Sequence, residues 1–254
     1  MTNCAALFLA AGKGKRFSPV KPKQYMSIDQ NTVLWHSLLR IGSNNKINTI
    51  CVVIDKSDKN LFEDTKSKLP LKISEKFTSH TYGGLTRQES SFNGLKHLNK
   101  LEPPPDLVFI HDAARPFVPK SAINELILSL KKNSGALLAT QCIDTIKKAH
   151  DLEDANINSN LIINNTLDRN NLWLAQTPQA FIFSEILDAH QKYKNKNFTD
   201  DSALAERAGL KVAIIESESS NFKITTQKDL ELARIQLKFE LSLNSNEQGI
   251  NEES

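Results

Sequence analysis

Short apolar runs rich in β-branched residues alternate along the chain with stretches whose apolar positions recur every three or four residues. Ala5–Leu9, Ile50–Ile54, Ile73–Thr78, Leu107–Ile110 and Ala136–Gln141 have the length and composition of strands. Between them, Thr32–Ile41, Ser57–Leu69, Gln88–Leu98 and Ser121–Lys132 carry a helical period. Leu34, Leu38 and Ile41 form one stripe, and Ile123, Leu126, Ile127 and Leu130 form another. This alternation predicts an α/β fold, a mostly parallel sheet with helices on both faces. Ligands in such folds gather beyond the carboxyl ends of the strands.

The rhythm breaks after Gln141. Asp144–Asp168 alternates weakly, is rich in Asn and offers no good helix, so residues 141–170 are expected to form a projecting β-arm suited to a dimer contact. The pattern then resumes with helices over Phe183–Tyr193 and Asp201–Ala208, a strand over Val212–Ile215 and a last helix over Gln227–Phe239. Residues 1–240 are thus expected to make one domain, and residues 241–254 a polar, frayed tail.

Charge changes this picture locally. The formal net charge is only +3, which argues against a general nucleic-acid binder. The cations nevertheless cluster in "AAGKGKRFSPVKPKQY", just beyond the first strand. Ala10, Ala11, Gly12 and Gly14 lack bulk, so a ligand can approach the backbone amides. Lys13, Lys15, Arg16 and Lys23 supply positive charge, and the combination predicts a phosphate loop. It is no Walker A, because Lys-Ser/Thr does not follow the second glycine. Phe17 stands where the dinucleotide fingerprint needs a third glycine, which argues against a nicotinamide oxidoreductase.

Three further stretches could carry chemistry. In "VFIHDAARPFV", Asp112 ends a strand and is a hard oxygen ligand suited to Mg²⁺, while Arg115 could clamp a phosphate. In "GGLTRQESS", Gly83 and Gly84 permit close backbone approach, Arg87 follows, and Ser90 could bond a base edge. Lys223, in "SNFKITT", sits in a strand-like run and by itself carries little weight. The histidines make no metal or triad pattern. Cys4, Cys51 and Cys142 lie apart, each in or beside a strand, and read as buried free thiols of a reducing compartment. No secretory core precedes Leu7 and no apolar run approaches the roughly 20 residues of a membrane span, so a cytoplasmic protein is expected.

Taken in order, "AAGKGKRF", "KPKQY", "GGLTRQESSFNGL", "HDAARPFV", "DTIKK", "LDRNNLW", "AQTPQAF", "TDDSALAE" and "NFKITT" resemble the cytidylyltransferases of the non-mevalonate isoprenoid pathway from Ala5 to about Arg234. The resemblance implies a Rossmann-like nucleotidyltransferase fold whose arm exchanges across a homodimer. It implies CTP and an alcohol phosphate as substrates, Mg²⁺ as cofactor, and neither nucleic acid nor membrane as partner. By residue, it implies that Arg16, Lys23 and Lys223 are catalytic cations and that Asp112 attends the metal and the substrate. Arg115, Thr145 and Thr177 would line the sugar-phosphate side. Arg169 would reach the partner subunit's substrate, and Ala11, Gly84 and Ser90 would surround the cytosine.

The chain departs from the family pattern at Leu9, Leu85 and Ser220, and its arm is longer around Asp151–Asn165. Two alternatives stand beside this reading. A ribitol 5-phosphate cytidylyltransferase would keep the scaffold and change the acceptor. A non-catalytic nucleotide-binding protein would be expected to lack the cations at Arg16, Lys23 and Lys223.

Overall fold

The computed structural model describes residues 2–12, 21–150 and 161–251. Lys13, Gly14, Lys15, Arg16 and Pro19 of the basic loop, and the arm segment 151–160, lie outside the described residues.

Seven strands form one sheet in the order β3-β2-β1-β4-β8-β5-β9. They are β1 (Cys4–Ala10), β2 (Ile47–Ile54), β3 (Thr81–Tyr82), β4 (Leu107–Asp112), β5 (Gly135–Gln141), β8 (Trp173–Ile182) and β9 (Val212–Glu216). A separate antiparallel hairpin, β6 (Lys147–His150) and β7 (Ile162–Thr166), occupies the expected arm. The helices are α1 (Val33–Gly42), α2 (Lys59–Ser67), α3 (Leu71–Ser74), α4 (Arg87–Leu98), α5 (Ala122–Ser129), α6 (Phe183–Lys192), α7 (Asp201–Arg207) and α8 (Gln227–Asn251).

The central strand β1 shows why the sheet must be covered on both sides. Cys4, Ala6, Phe8 and Ala10 enter one core with residues of α1, α2 and α5. Ala5 and Leu7 enter a second core with residues of α4, α6 and α7. The period of two sends successive side chains to opposite faces, so a strand buried on both sides reads as an unbroken apolar run. Each fully buried Leu, Ile or Phe contributes roughly 1.5–3 kcal/mol. Helix α4 approaches the sheet closely at Gly94, where a Cβ would sit 2.4 Å from Leu7 Cδ1 and 2.9 Å from Val53 Cγ2. A smaller cluster of Ile28, Val33, Phe117, Ile224, Leu230 and Ala233 fastens the start of α8 to the body.

Four sequence expectations are corrected. Ile73–Thr78 is no strand: Leu71–Ser74 forms the helical turn α3 after Pro70, and only Phe77 bridges to Ile50. The sheet instead takes up the two residues Thr81–Tyr82. The run around Lys223 is loop, tied by Ile224 N donating to Ala114 O at 2.9 Å. Strand β8 is not expected from the sequence, although it is ten residues long and central. It runs antiparallel to both neighbours and brings its first half to the carboxyl end of β4. The last helix, expected to end at Phe239, continues to Asn251.

The register fixes where ligands can go. Leu9 of β1 pairs with Asp112 of β4, and Ala10 pairs with Ile54 of β2. Parallel strands therefore end together on either side of β1, leaving a crevice at their carboxyl edge.

Candidate active site

A cavity of about 1040 Å³ opens at that edge. Ala11 and Gly12 deliver its floor from the end of β1, Gly83 and Gly84 border it, and Lys23, Arg87, Asp112 and Lys223 supply charge. Gln24 holds the first loop in place: its Nε2 donates to Ala10 O at 2.6 Å and to Gly12 O at 3.2 Å. Sequence reasoning missed this role of the "KPKQY" stretch, where the lysines draw attention.

The Gly83–Gly84 turn is locked to both neighbours. Gly83 N donates to Ile54 O at 3.0 Å, and Gly84 N donates to Ser90 Oγ at 3.1 Å. A Cβ on Gly83 would stand 2.4 Å from Ala11 Cβ and 2.8 Å from Ser90 Oγ, so the two loops touch only because this residue has none. Thr86 caps α4 by accepting from Glu89 N at 3.1 Å, and Glu89 Oε2 accepts from Leu85 N at 2.6 Å. Ser90 therefore braces the turn while still lining the cavity. Leu85, at the tip of this turn, is 98% exposed.

Asp112 is the electrostatic centre. Lys223 Nζ donates to its Oδ2 at 2.7 Å, Arg87 Nε donates to its Oδ1 at 3.3 Å, and Arg115 Nε stands 4.0 Å from Oδ2. Burial alone would raise the carboxyl pKa; Arg87 and Lys223 overcome this and hold it well below the usual carboxylate range. The backbone of Asp112 is also fixed, its N–H donating to Thr177 Oγ1 at 3.0 Å. That hydroxyl lies 3.1 Å from His111 Nδ1, and His111 Nε2 lies 3.0 Å from Arg115 O. A carbonyl can only accept, so Nε2 carries the proton and Nδ1 accepts from Thr177. Burial pushes the His111 pKa down to about 4, consistent with a neutral ring.

The other expected site residues fall into three groups. Arg115 lies outside the cavity lining and spends its Nη1 on Asn221 O at 2.8 Å, bracing the loop that carries Lys223. Thr177 is buried beneath Asp112. Thr145 and Arg169 are exposed and away from the cavity, near the arm, where Arg169 Nη1 donates to Ile143 O. Gly14 and Arg16 lie outside the described residues. The three cysteines are buried and free, and burial raises the Cys51 pKa to about 12 and that of Cys4 to about 11.

Among the described residues no group of three or more His, Cys, Asp and Glu side chains forms a ready-made metal cage. The donor chemistry suits a sparser site. Asp112 offers an ionised carboxylate, and among the described residues Asn221 Oδ1 is buried without a hydrogen-bond partner while its Nδ2 donates to Gln176 Oε1 and Thr177 O. Mg²⁺ commonly takes one or two carboxylates and completes its shell with water and substrate phosphates, so Asp112, which lines the cavity, fits it, while Asn221 lies buried outside the lining.

Sheet order, the crevice beside β1, bare backbone and cations from both ends of the chain are those of an α/β nucleotidyltransferase-like fold. The family model described as "IspD: 2-C-methyl-D-erythritol 4-phosphate cytidylyltransferase" matches residues 4–238. The chain belongs to that family. It is 37% identical over 231 residues to the 2-C-methyl-D-erythritol 4-phosphate cytidylyltransferase of Petrotoga mobilis, covering 90% of this chain and 96% of that protein. It is 38% identical over 234 residues to a bifunctional enzyme IspD/IspF of Paramagnetospirillum magneticum, covering 92% of this chain but only 56% of that protein. The chain thus spans about half the length of the bifunctional relatives it matches. Among solved structures it resembles the 4-diphosphocytidyl-2C-methyl-D-erythritol synthase of Anaerococcus prevotii, with a TM-score of 0.76, 31% identity, and 93% and 96% of the two chains covered.

Proposed function

We infer that this chain transfers CMP from CTP to 2-C-methyl-D-erythritol 4-phosphate, giving 4-diphosphocytidyl-2-C-methyl-D-erythritol and pyrophosphate. A phosphate oxygen of the acceptor bonds to the α-phosphorus of CTP. The bond from that phosphorus to the bridging oxygen breaks, and the electron pair leaves on pyrophosphate. The observation that carries this reading is that Lys23 and Lys223, from opposite ends of the chain, line one cavity with Gly12, Gly83 and Gly84.

In this reading the glycines let the nucleotide approach the backbone, and Lys23 and Arg16 hold the triphosphate and the departing pyrophosphate. Lys223 turns from Asp112 to the phosphates at the reacting centre. Positioning and charge neutralisation dominate such transfers, and no protein nucleophile is needed. The acceptor phosphate is substantially ionised near pH 7, so no dedicated base is needed either. Asp112 is proposed to ligate Mg²⁺, which when bound offsets the charge of the triphosphate.

Residues 1–240 are proposed as one nucleotidyltransferase domain acting in the cytoplasm as a homodimer, with residues 141–170 as the dimer arm. In support, every residue of β7 is exposed, and Ile143, Leu161, Ile162, Ile163 and Leu174 present apolar side chains to solvent. An apolar group this dense on a projecting hairpin suits coverage by a second copy. Among the described residues no helix is long and apolar enough to cross a membrane.

The direct test is pyrophosphate release from CTP with methylerythritol phosphate and with ribitol 5-phosphate in parallel. Release with the first and little with the second is expected. The reverse preference would overturn the acceptor assignment, and release with neither would overturn the reaction.

A further inference from the structure

The stretch "TDDSALAE" has no role in the reading above, yet its second carboxylate is wired to the reacting centre. Asp201, at the start of α7, is 1% exposed, and among the described residues its hydrogen bond to the cavity lining goes to Arg87. Its Oδ2 accepts from Arg87 Nη1 at 2.7 Å. Its Oδ1 accepts from Ser91 Oγ at 2.6 Å and pairs with His190 Nε2 at 3.0 Å. His190 is buried, stacks on Phe92 with centroids 5.9 Å apart, and has no partner on Nδ1 among the described residues. Its one productive proton position is therefore Nε2, aimed at Asp201.

Arg87 is what this anchor holds. Its guanidinium spans two carboxylates, Asp201 within the core and Asp112 at the cleft. The fork is planar and rigid, so fixing Nη1 on Asp201 also fixes the direction of Nε toward Asp112. Arg87 and Ser91 stand four residues apart on one face of α4, so a single helix presents both donors to Asp201. Three helices thus converge on one buried carboxylate, which Arg87 connects to the cleft. Without that carboxylate, Arg87 would be a loose cation beside a cavity that collects phosphates, free to displace Lys223 from Asp112 or to take a phosphate itself.

We propose that Asp201 is a positioning residue of the reacting centre: it immobilises Arg87 against Asp112 Oδ1, so that Lys223, on Oδ2, is the cation handed over to the substrate phosphates. The proposal rests on the reading in the preceding subsection. It makes Arg87 a brace, in place of the substrate ligand expected from the sequence.

A double-mutant cycle of Asp201→Asn and Arg87→Lys tests it, with turnover, KM for CTP, calorimetric CTP affinity and melting temperature measured on each protein. Lysine keeps the charge of Arg87 but cannot span two carboxylates. Each single variant is expected to lose roughly 10- to 100-fold in kcat, the scale of a displaced catalytic group. In Asp201→Asn the loss should fall on kcat more than on CTP affinity, because Asp201 itself does not line the cavity. The double variant should be no slower than the slower single one, since both changes remove the same brace.

Fold-losses that multiply in the double variant would overturn the proposal, because Asp201 would then act on turnover by a route other than Arg87. Should Asp201→Asn not fold, Ser91→Ala replaces it in the cycle, because it loosens the anchor while leaving its charge. A loss with Ser91→Ala that disappears in the Arg87→Lys background supports the proposal; an equal loss in both backgrounds overturns it. The wild type separates the two levels. If it releases no pyrophosphate, the reaction assignment falls and this proposal with it. If it does so and the losses multiply, only the role of Asp201 falls.

Discussion

Lys223 Nζ stands 2.7 Å from Asp112 Oδ2 although 111 residues separate the two in the chain. Between them they join the end of β4 to a loop just before the last helix, and both line the cavity that Ala11 and Gly12 enter. Arg87, which also pairs with Asp201, and Arg115 approach the same carboxylate, so three cations surround its single negative charge.

Removing that carboxylate should therefore harm the fold as well as the reaction. In Asp112→Asn, Lys223 and Arg115 would face a neutral amide, and Arg87 would keep only its pair with Asp201. Breaking a buried pair by deleting one partner costs about 3–5 kcal/mol. Urea unfolding should show a loss of roughly that size, on the scale for a buried pair; a midpoint within error of wild type would mean that the cations find other partners.

The neutral ring of His111 predicts an acid-side loss of stability. Its pKa in the folded chain is about 4, against an ordinary value of 6.5. Between those values the unfolded chain binds the proton and the folded chain does not, so stability falls as pH drops from about 6.5 toward 4. The full effect for this buried group is about 3 kcal/mol. Asp112 and Asp201, both held below the usual carboxylate range, keep their contribution above about pH 4 and lose it only at lower pH. His111→Gln, which can still donate to Arg115 O, should flatten the stability curve between about pH 6.5 and 4. A slope equal to that of wild type would place the acid sensitivity elsewhere.

Gly83 offers a test of the nucleotide side. In Gly83→Ala the new methyl meets Ala11 Cβ, which has no rotamer to escape into. Overpacking of this kind costs about 1–3 kcal/mol. It should be relieved by moving the Ala11–Gly12 loop, so CTP binding should weaken roughly tenfold or more while melting changes little. Unchanged CTP affinity in calorimetry would show that this turn lies off the nucleotide's path.

Much of the sheet was legible from short apolar runs: the strand expected at Ala5–Leu9 extends over Cys4–Ala10, and that at Leu107–Ile110 over Leu107–Asp112. Strand β8 was hidden by Pro178, which argues against a central strand because it cannot donate to the ladder. The register explains how it is tolerated. Leu137 pairs with Gln179 and Ala139 with Ala175, so Pro178 falls in the irregularity between them, and pairing with β4 stops at Gln179. The phosphate loop was legible because glycine and charge coincide within a few residues. Asp201 was not: its contact with Arg87 spans 114 residues and depends on how three helices pack, which no local pattern encodes. Lys223 gained weight only through the family resemblance, since a lone lysine in a polar loop carries no signal of its own.

The arm predicts two separable effects. Arg169 is exposed and lies outside the cavity lining. Arg169→Ala should raise KM for the alcohol phosphate and leave CTP affinity nearly unchanged; a collapse of CTP affinity would contradict its assignment to the acceptor side. Shortening the hairpin of β6 and β7 should yield monomers in sedimentation velocity, and an unchanged sedimentation coefficient would count against the proposed dimer arm.

The convergence of cations from both ends of the chain on one triphosphate is tested most directly by pyrophosphate release from CTP in Lys23→Ala and Lys223→Ala, each measured alone with methylerythritol phosphate. Both proteins should fold, and both should turn over roughly 10²–10³-fold more slowly than wild type, the scale of one lost transition-state donor. Near-wild-type rates in both would contradict the account.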